Sequence, residues 1–93
     1  MMDFFVVEPC SSSNGIEVKL KDKKIDLKKA ENALPSVGNS TVVMLSKFQN
    51  YSLSVYASGR IMIKGSNKIS SKVGDELAKK IIALLEKNNA IVD

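Results

Sequence analysis

Histidine and tryptophan are absent from this 93-residue chain, cysteine occurs once, as Cys10, and arginine once, as Arg60. Without histidine, the usual general base at neutral pH and the commonest zinc ligand are both missing. A lone cysteine forms no internal disulfide, and with no imidazole beside it a thiolate lacks its usual activator. The carboxylates are scattered among lysines rather than clustered. These gaps point away from an enzyme, and no metal or cofactor is expected. No apolar run approaches the roughly 18 residues that mark a membrane span, so no membrane partner is expected either. Met1 to Val7 is apolar but carries Asp3 and no basic residue, unlike a signal peptide. The cysteine content favours a reducing setting, and the expected location is cytoplasmic.

What is present is lysine. The net charge is +4, and every basic residue except Arg60 is a lysine. Such a balance permits binding to polyanions without demanding it. Readers of base sequence spend arginine on base edges and phosphate forks, so detailed base reading is not expected. Lys19, Lys21, Lys23, Lys24, Lys28 and Lys29 form a local basic cluster, diluted by Asp22 and Asp26, that reads as a solvated surface. Gly65 to Lys68 lacks the spacing of a phosphate-binding loop. The 44% hydrophobic and 26% charged content suits one globular domain over 1–93.

Periodicity places the elements. Phe4 to Val7 is a short apolar run stopped by Pro9, an extra N-terminal strand at 3–8. Ser11 to Gly15 has the composition of a loop. Ile16, Val18 and Leu20 alternate with Glu17, Lys19 and Lys21, as in a half-buried strand. Asp26 can cap a helix with the stripe Leu27, Ala30 and Leu34, closed by Pro35 and Gly38. Thr41 to Ser46 is a strand, Gln49-Asn50 a turn, and Tyr51 to Ala57 an alternating strand with Tyr51, Leu53 and Val55 on one side. Ser58-Gly59 turns the chain into a strand over Arg60 to Lys64. Ser70 or Ser71 caps a last helix with the stripe Val73, Leu77, Ile81, Leu84 and Leu85, ending near Asn88-Asn89. Gly74 lies inside that helix, where close packing on the sheet would explain it.

The expected fold class is therefore α+β, a curved antiparallel β-sheet with two helices packed on one face. The helices leave the other face bare. It would carry Glu17, Lys19, Lys21, Ser52, Ser54, Tyr56, Arg60, Met62 and Lys64, beside either Val42 and Met44 or Val43 and Leu45.

Three stretches carry a family resemblance. Ile25-Asp26-Leu27-Lys28, Thr41-Val42-Val43-Met44 and the hairpin from Val55 to Gly65 resemble one repeat of the TATA-binding protein core, with a lysine-rich final helix following. The resemblance covers residues from about 15 to 90. It implies half of a saddle, whose concave sheet presses on the DNA minor groove with aromatic wedges. Tyr56 matches a wedge phenylalanine, Arg60 a lysine that meets phosphate, and Met62 a small apolar residue lying on base edges. Lys64 matches a threonine there, and Ser52 and Ser54 stand where the family has threonine and leucine. The second wedge falls near Asn39 and is missing, and Glu17 places a carboxylate where the family is apolar. The fold is expected to be kept without TATA-box recognition. The chain holds one repeat rather than two, so a homodimer is the way to rebuild a saddle.

The sequence thus predicts a non-catalytic binding module. Its first reading is low-specificity binding of DNA or RNA through Tyr56, Arg60, Met62, Lys64, Lys19, Lys21, Ser52 and Ser54. The alternative is a protein interaction or assembly module that uses the same face.

Overall fold

The computed structural model describes residues 5–9, 14–66 and 68–92. Asp3 and Phe4 of the expected first strand, Cys10, the loop residues 11–13 and Asn67 lie outside the described residues. Six strands form one antiparallel sheet: β1 (Phe5–Pro9), β2 (Gly15–Leu20), β4 (Ser36–Asn39), β5 (Val43–Phe48), β6 (Tyr51–Tyr56) and β7 (Arg60–Lys64). Their spatial order is β1-β2-β7-β6-β5-β4. Helix α1 (Leu27–Ala33) follows β2, and α2 (Ser71–Lys87) follows β7. Two short strands, β3 (Lys24–Ile25) and β8 (Ile91–Val92), pair with each other and tie the start of α1 to the chain after α2. The fold class is α+β, as the alternation predicts.

Both helices start where a side chain can satisfy free backbone donors. Asp26 Oδ1 accepts from the amides of Lys28 at 3.0 Å and Lys29 at 3.3 Å. Ser70 Oγ accepts from the Val73 amide at 3.2 Å, which settles the choice between Ser70 and Ser71. At the far end of α2, Asn89 turns left-handed at φ 57° and the Ala90 amide returns to the Leu85 carbonyl at 2.8 Å. That reversal sends β8 back to β3.

The core is one layer between the helices and one side of the sheet. Ile16 and Val18 from β2, Ile61 and Ile63 from β7, Leu53 and Val55 from β6 and Met44 from β5 meet Leu27 and Ala30 of α1 and Leu77, Ile81, Ile82 and Leu85 of α2. Full burial of each large aliphatic side chain contributes about 1.5–3 kcal/mol. Phe5 and Val7 extend the same layer from β1, which explains why the short first strand stays on the sheet.

The α2 stripe is rotated from the expected one. Val73 is exposed and Leu84 only half-buried, while Gly74, Ala78 and Ile82 turn inward beside Leu77, Ile81 and Leu85. Small residues at 74 and 78, one turn apart, let the helix backbone approach the sheet. A β-carbon on Gly74 would stand 2.8 Å from Ile16 Cδ1. The close packing anticipated for this glycine is thus present. Further differences concern the strands. β4 occupies residues read as the end of the first helix region, and β5 runs from Val43 to Phe48 rather than from Thr41 to Ser46.

Candidate binding face

Cross-strand register fixes which side chains share the open face. Lys19 lies opposite Arg60, Arg60 opposite Tyr56, and Tyr56 opposite Val43. The next row reads Glu8, Glu17, Met62, Ser54, Leu45 and Gly38. The third reads Gly15, Lys64, Ser52 and Lys47. Across β2, β7, β6 and β5 the side chains of these residues point away from the helices, because their neighbours Ile16, Val18, Ile61, Ile63, Leu53, Val55, Met44 and Ser46 are the buried ones. The two alternatives for β5 are resolved in favour of Val43 and Leu45. Met44 and Ser46 are buried on the helix side, and Val42 lies in the turn before β5.

Of the eight residues assigned to binding by sequence, seven stand together on this face, Lys19, Ser52, Ser54, Tyr56, Arg60, Met62 and Lys64, with Glu17 among them as expected. Lys21 is exposed but lies in the bend beyond the end of β2. Leu45, Val43, Lys47 and Glu8 join the group. Glu8 is brought in by the pairing of β1 with β2.

The charges on the β1-β2-β7 half are mutually engaged. Like charges sit directly opposite one another, Glu8 facing Glu17 and Lys19 facing Arg60. The attractive contacts run diagonally between rows. Lys19 Nζ lies 3.3 Å from Glu8 Oε1, and Arg60 Nε lies 3.1 Å from Glu17 Oε2. The Arg60 guanidinium also covers the Tyr56 ring, 4.7 Å from its centroid. Arg60 is therefore held by a carboxylate and an aromatic ring at once. One face of Tyr56 is already occupied.

The β5-β6-β7 half differs. Leu45, 47% exposed, stands among Val43, Met62 and Tyr56, which are half-buried. Lys47 and Lys64 flank Ser52, and neither makes an ion pair among the described residues. The face thus has an apolar centre, a satisfied charge ladder on one side and two uncommitted cations on another.

Elsewhere the polar groups are used locally. An open cleft of about 550 Å³ lies between the start of α1 and the 39–41 turn, lined by Asp26, Lys28, Glu31 and Asn39 among others. Asp26 caps α1, and Glu31 accepts from Asn39 Nδ2 at 2.7 Å. Asn39, where the resemblance placed the missing wedge, is thereby turned to the helix side of the sheet, opposite buried Met44. No helix of the described residues is long and apolar enough to cross a membrane. No protein-family model, curated protein or solved structure matches the chain.

Proposed function

We propose that the protein is a non-catalytic binding module whose open sheet face docks another protein. The observation that carries this reading is the apolar group Val43, Leu45, Tyr56 and Met62, ringed by Lys19, Lys47, Arg60 and Lys64 and by the acids Glu8 and Glu17. An apolar centre with a polar rim, supplied with tyrosine, methionine and arginine, is the anatomy of a protein interface. Engagement of Arg60 by Glu17 and Tyr56 favours it over phosphate binding, as do two carboxylates on the same face.

Nucleic-acid binding is the second reading, as a single TATA-binding protein-like repeat or as a homodimer. It rests on the resemblance and on Lys47 and Lys64, which make no ion pair among the described residues. Affinity for DNA or RNA would then fall steeply with salt.

The test is a photo-crosslinking amino acid placed at Ser54, in the middle of the open face, with a control at Lys80 on the exposed side of α2. In cells that make the protein, the Ser54 position yields a discrete protein adduct and the Lys80 position does not. Equal adducts from both positions, or from neither, contradict protein docking at this face. Labelled AT-rich and GC-rich duplexes, titrated at low and at physiological salt, decide the second reading.

A further inference from the structure

The open face also constrains what kind of protein segment covers it. Lys64 and Lys47 are both in register with Ser52, one on each side. They are thus two strand spacings apart, about 10 Å. The apolar row of Met62 and Leu45 runs parallel to them two residues further along the strands, about 7 Å away. Next come Tyr56 and Val43.

Resting on the protein-docking reading, we infer that the occupant is an acidic amphipathic helix laid across β7, β6 and β5. Its carboxylates meet Lys64 and Lys47, and its apolar stripe lies on Met62, Leu45, Tyr56 and Val43. The spacing fits a helix. Residues i and i+7 are separated by about 10.5 Å along the axis and lie on one side, so two acids seven apart span the lysine pair. Apolar residues at i+1, i+5 and i+8 then form the adjoining stripe. An extended segment running the same way repeats on one face about every 7 Å and does not match the pair as well.

Charge complementarity points away from a second copy. The chain's own helices carry Lys28, Lys29, Lys72, Lys79, Lys80 and Lys87 against Glu31, Asp75, Glu76 and Glu86, with Glu31 engaged by Asn39 and Asp75 by Lys79, and the whole chain is +4. Both helices are net positive, so either one meets Lys47 and Lys64 less favourably than an acidic helix does. A polyanion satisfies the two lysines but offers no aliphatic side chains to Leu45 and Val43, and it meets Glu8 and Glu17.

The experiment uses a synthetic helical peptide of about 18 residues, beyond the length at which isolated helices are marginal. It carries Glu at i and i+7 and Leu at i+1, i+5 and i+8, with a fluorescent label. A second peptide has Lys in place of both Glu residues. Anisotropy titration should show saturable binding of the acidic peptide only. Lys47→Glu and Lys64→Glu should each weaken it about fivefold, and Lys80→Glu should leave it unchanged. Circular dichroism checks that each variant is folded. Failure of the acidic peptide to saturate, equal binding of both peptides, or indifference to Lys47 and Lys64 overturns the inference. Displacement of the peptide by a DNA or RNA oligonucleotide at stoichiometric concentration also overturns it, in favour of a nucleic-acid face. A protein adduct at Ser54 whose contacting segment is basic would contradict the helix chemistry while leaving protein docking intact.

Discussion

Arg60 Nε lies 3.1 Å from Glu17 Oε2, across the β2-β7 ladder and one row away. The contact neutralises the single arginine of the chain on the face where an arginine would otherwise be free to meet phosphate. It also holds the guanidinium over Tyr56. Glu17 is well shielded, with its side chain 19% exposed, whereas Arg60 is 47% exposed. The pair is therefore less screened by solvent than one between two fully exposed groups.

A double-mutant cycle on Glu17→Gln and Arg60→Gln should return a coupling of about 0.5–1 kcal/mol, read by urea denaturation. Arg60→Gln alone should be the more harmful single change, because it leaves Glu17, the more shielded of the two charges, unpaired and facing Glu8. Additive single-variant effects would show that the contact contributes nothing.

Ser46 gives a change of opposite sign. It is 2% exposed on the helix side of β5, and its Oγ has no hydrogen-bond partner among the described residues. Leaving a hydroxyl unsatisfied in a core costs about 1–3 kcal/mol. Ser46→Ala should raise stability by about 1 kcal/mol, or about 4–8 °C in Tm for a domain of this size. A lowered Tm would contradict the account of this site.

Gly59 closes the β6-β7 hairpin at φ 102°, and a β-carbon there would collide with the Lys23 backbone carbonyl oxygen. Its own carbonyl accepts from the Leu20 amide at 2.8 Å, so the turn is fastened to the end of β2. Gly59→Ala should cost at least about 1–3 kcal/mol, since both the backbone conformation and the contact oppose it. A melting curve unchanged from that of the parent would refute the packing of this turn.

Gly74 allows a conditional prediction. Alanine there gains about 1 kcal/mol in helix propensity but presses on Ile16 Cδ1. Gly74→Ala should be neutral or destabilising in the parent chain. In an Ile16→Val background, where that methyl is gone, it should stabilise. The same sign in both backgrounds would contradict the close approach of α2 to β2.

Much of this architecture is written locally. Alternation at Ile16, Val18 and Leu20, the caps at Asp26 and Ser70, and the turn at Gly59 are each readable within a few residues. Other features depend on distant pairing. Ser36-Val37-Gly38-Asn39 carries no strand signal, and β4 exists because β5 offers it an edge, with a register irregularity between Ser36 and Gly38. The two-residue strands β3 and β8 join residues far apart in the chain. The buried stripe of α2 is ambiguous in sequence because Val73, Ile82 and Leu84 are equally apolar, and Gly74 and Ala78 contribute closeness rather than hydrophobicity.

The candidate face was legible as a set of residues and not as a set of partnerships. Tyr56, Arg60, Met62 and Lys64 fall on one side of a hairpin by alternation alone. The Glu17–Arg60 and Glu8–Lys19 contacts require the register of three strands, and Glu8 enters only because β1 pairs with β2. Val43 and Leu45 could not be told from Val42 and Met44 until the pairing of β5 with β6 fixed their side.

Residue-resolved acetylation rates measure the central claim directly. Lysine reactivity is read by mass spectrometry for the protein alone and for the protein in its native assembly from the cells that make it. Lys47 and Lys64 should become protected in the assembly, while Lys29 and Lys80, exposed on the helical side, should react as before. Protection of Lys29 and Lys80 with Lys47 and Lys64 still reactive would place the partner on the helices and contradict the open sheet face as the docking surface.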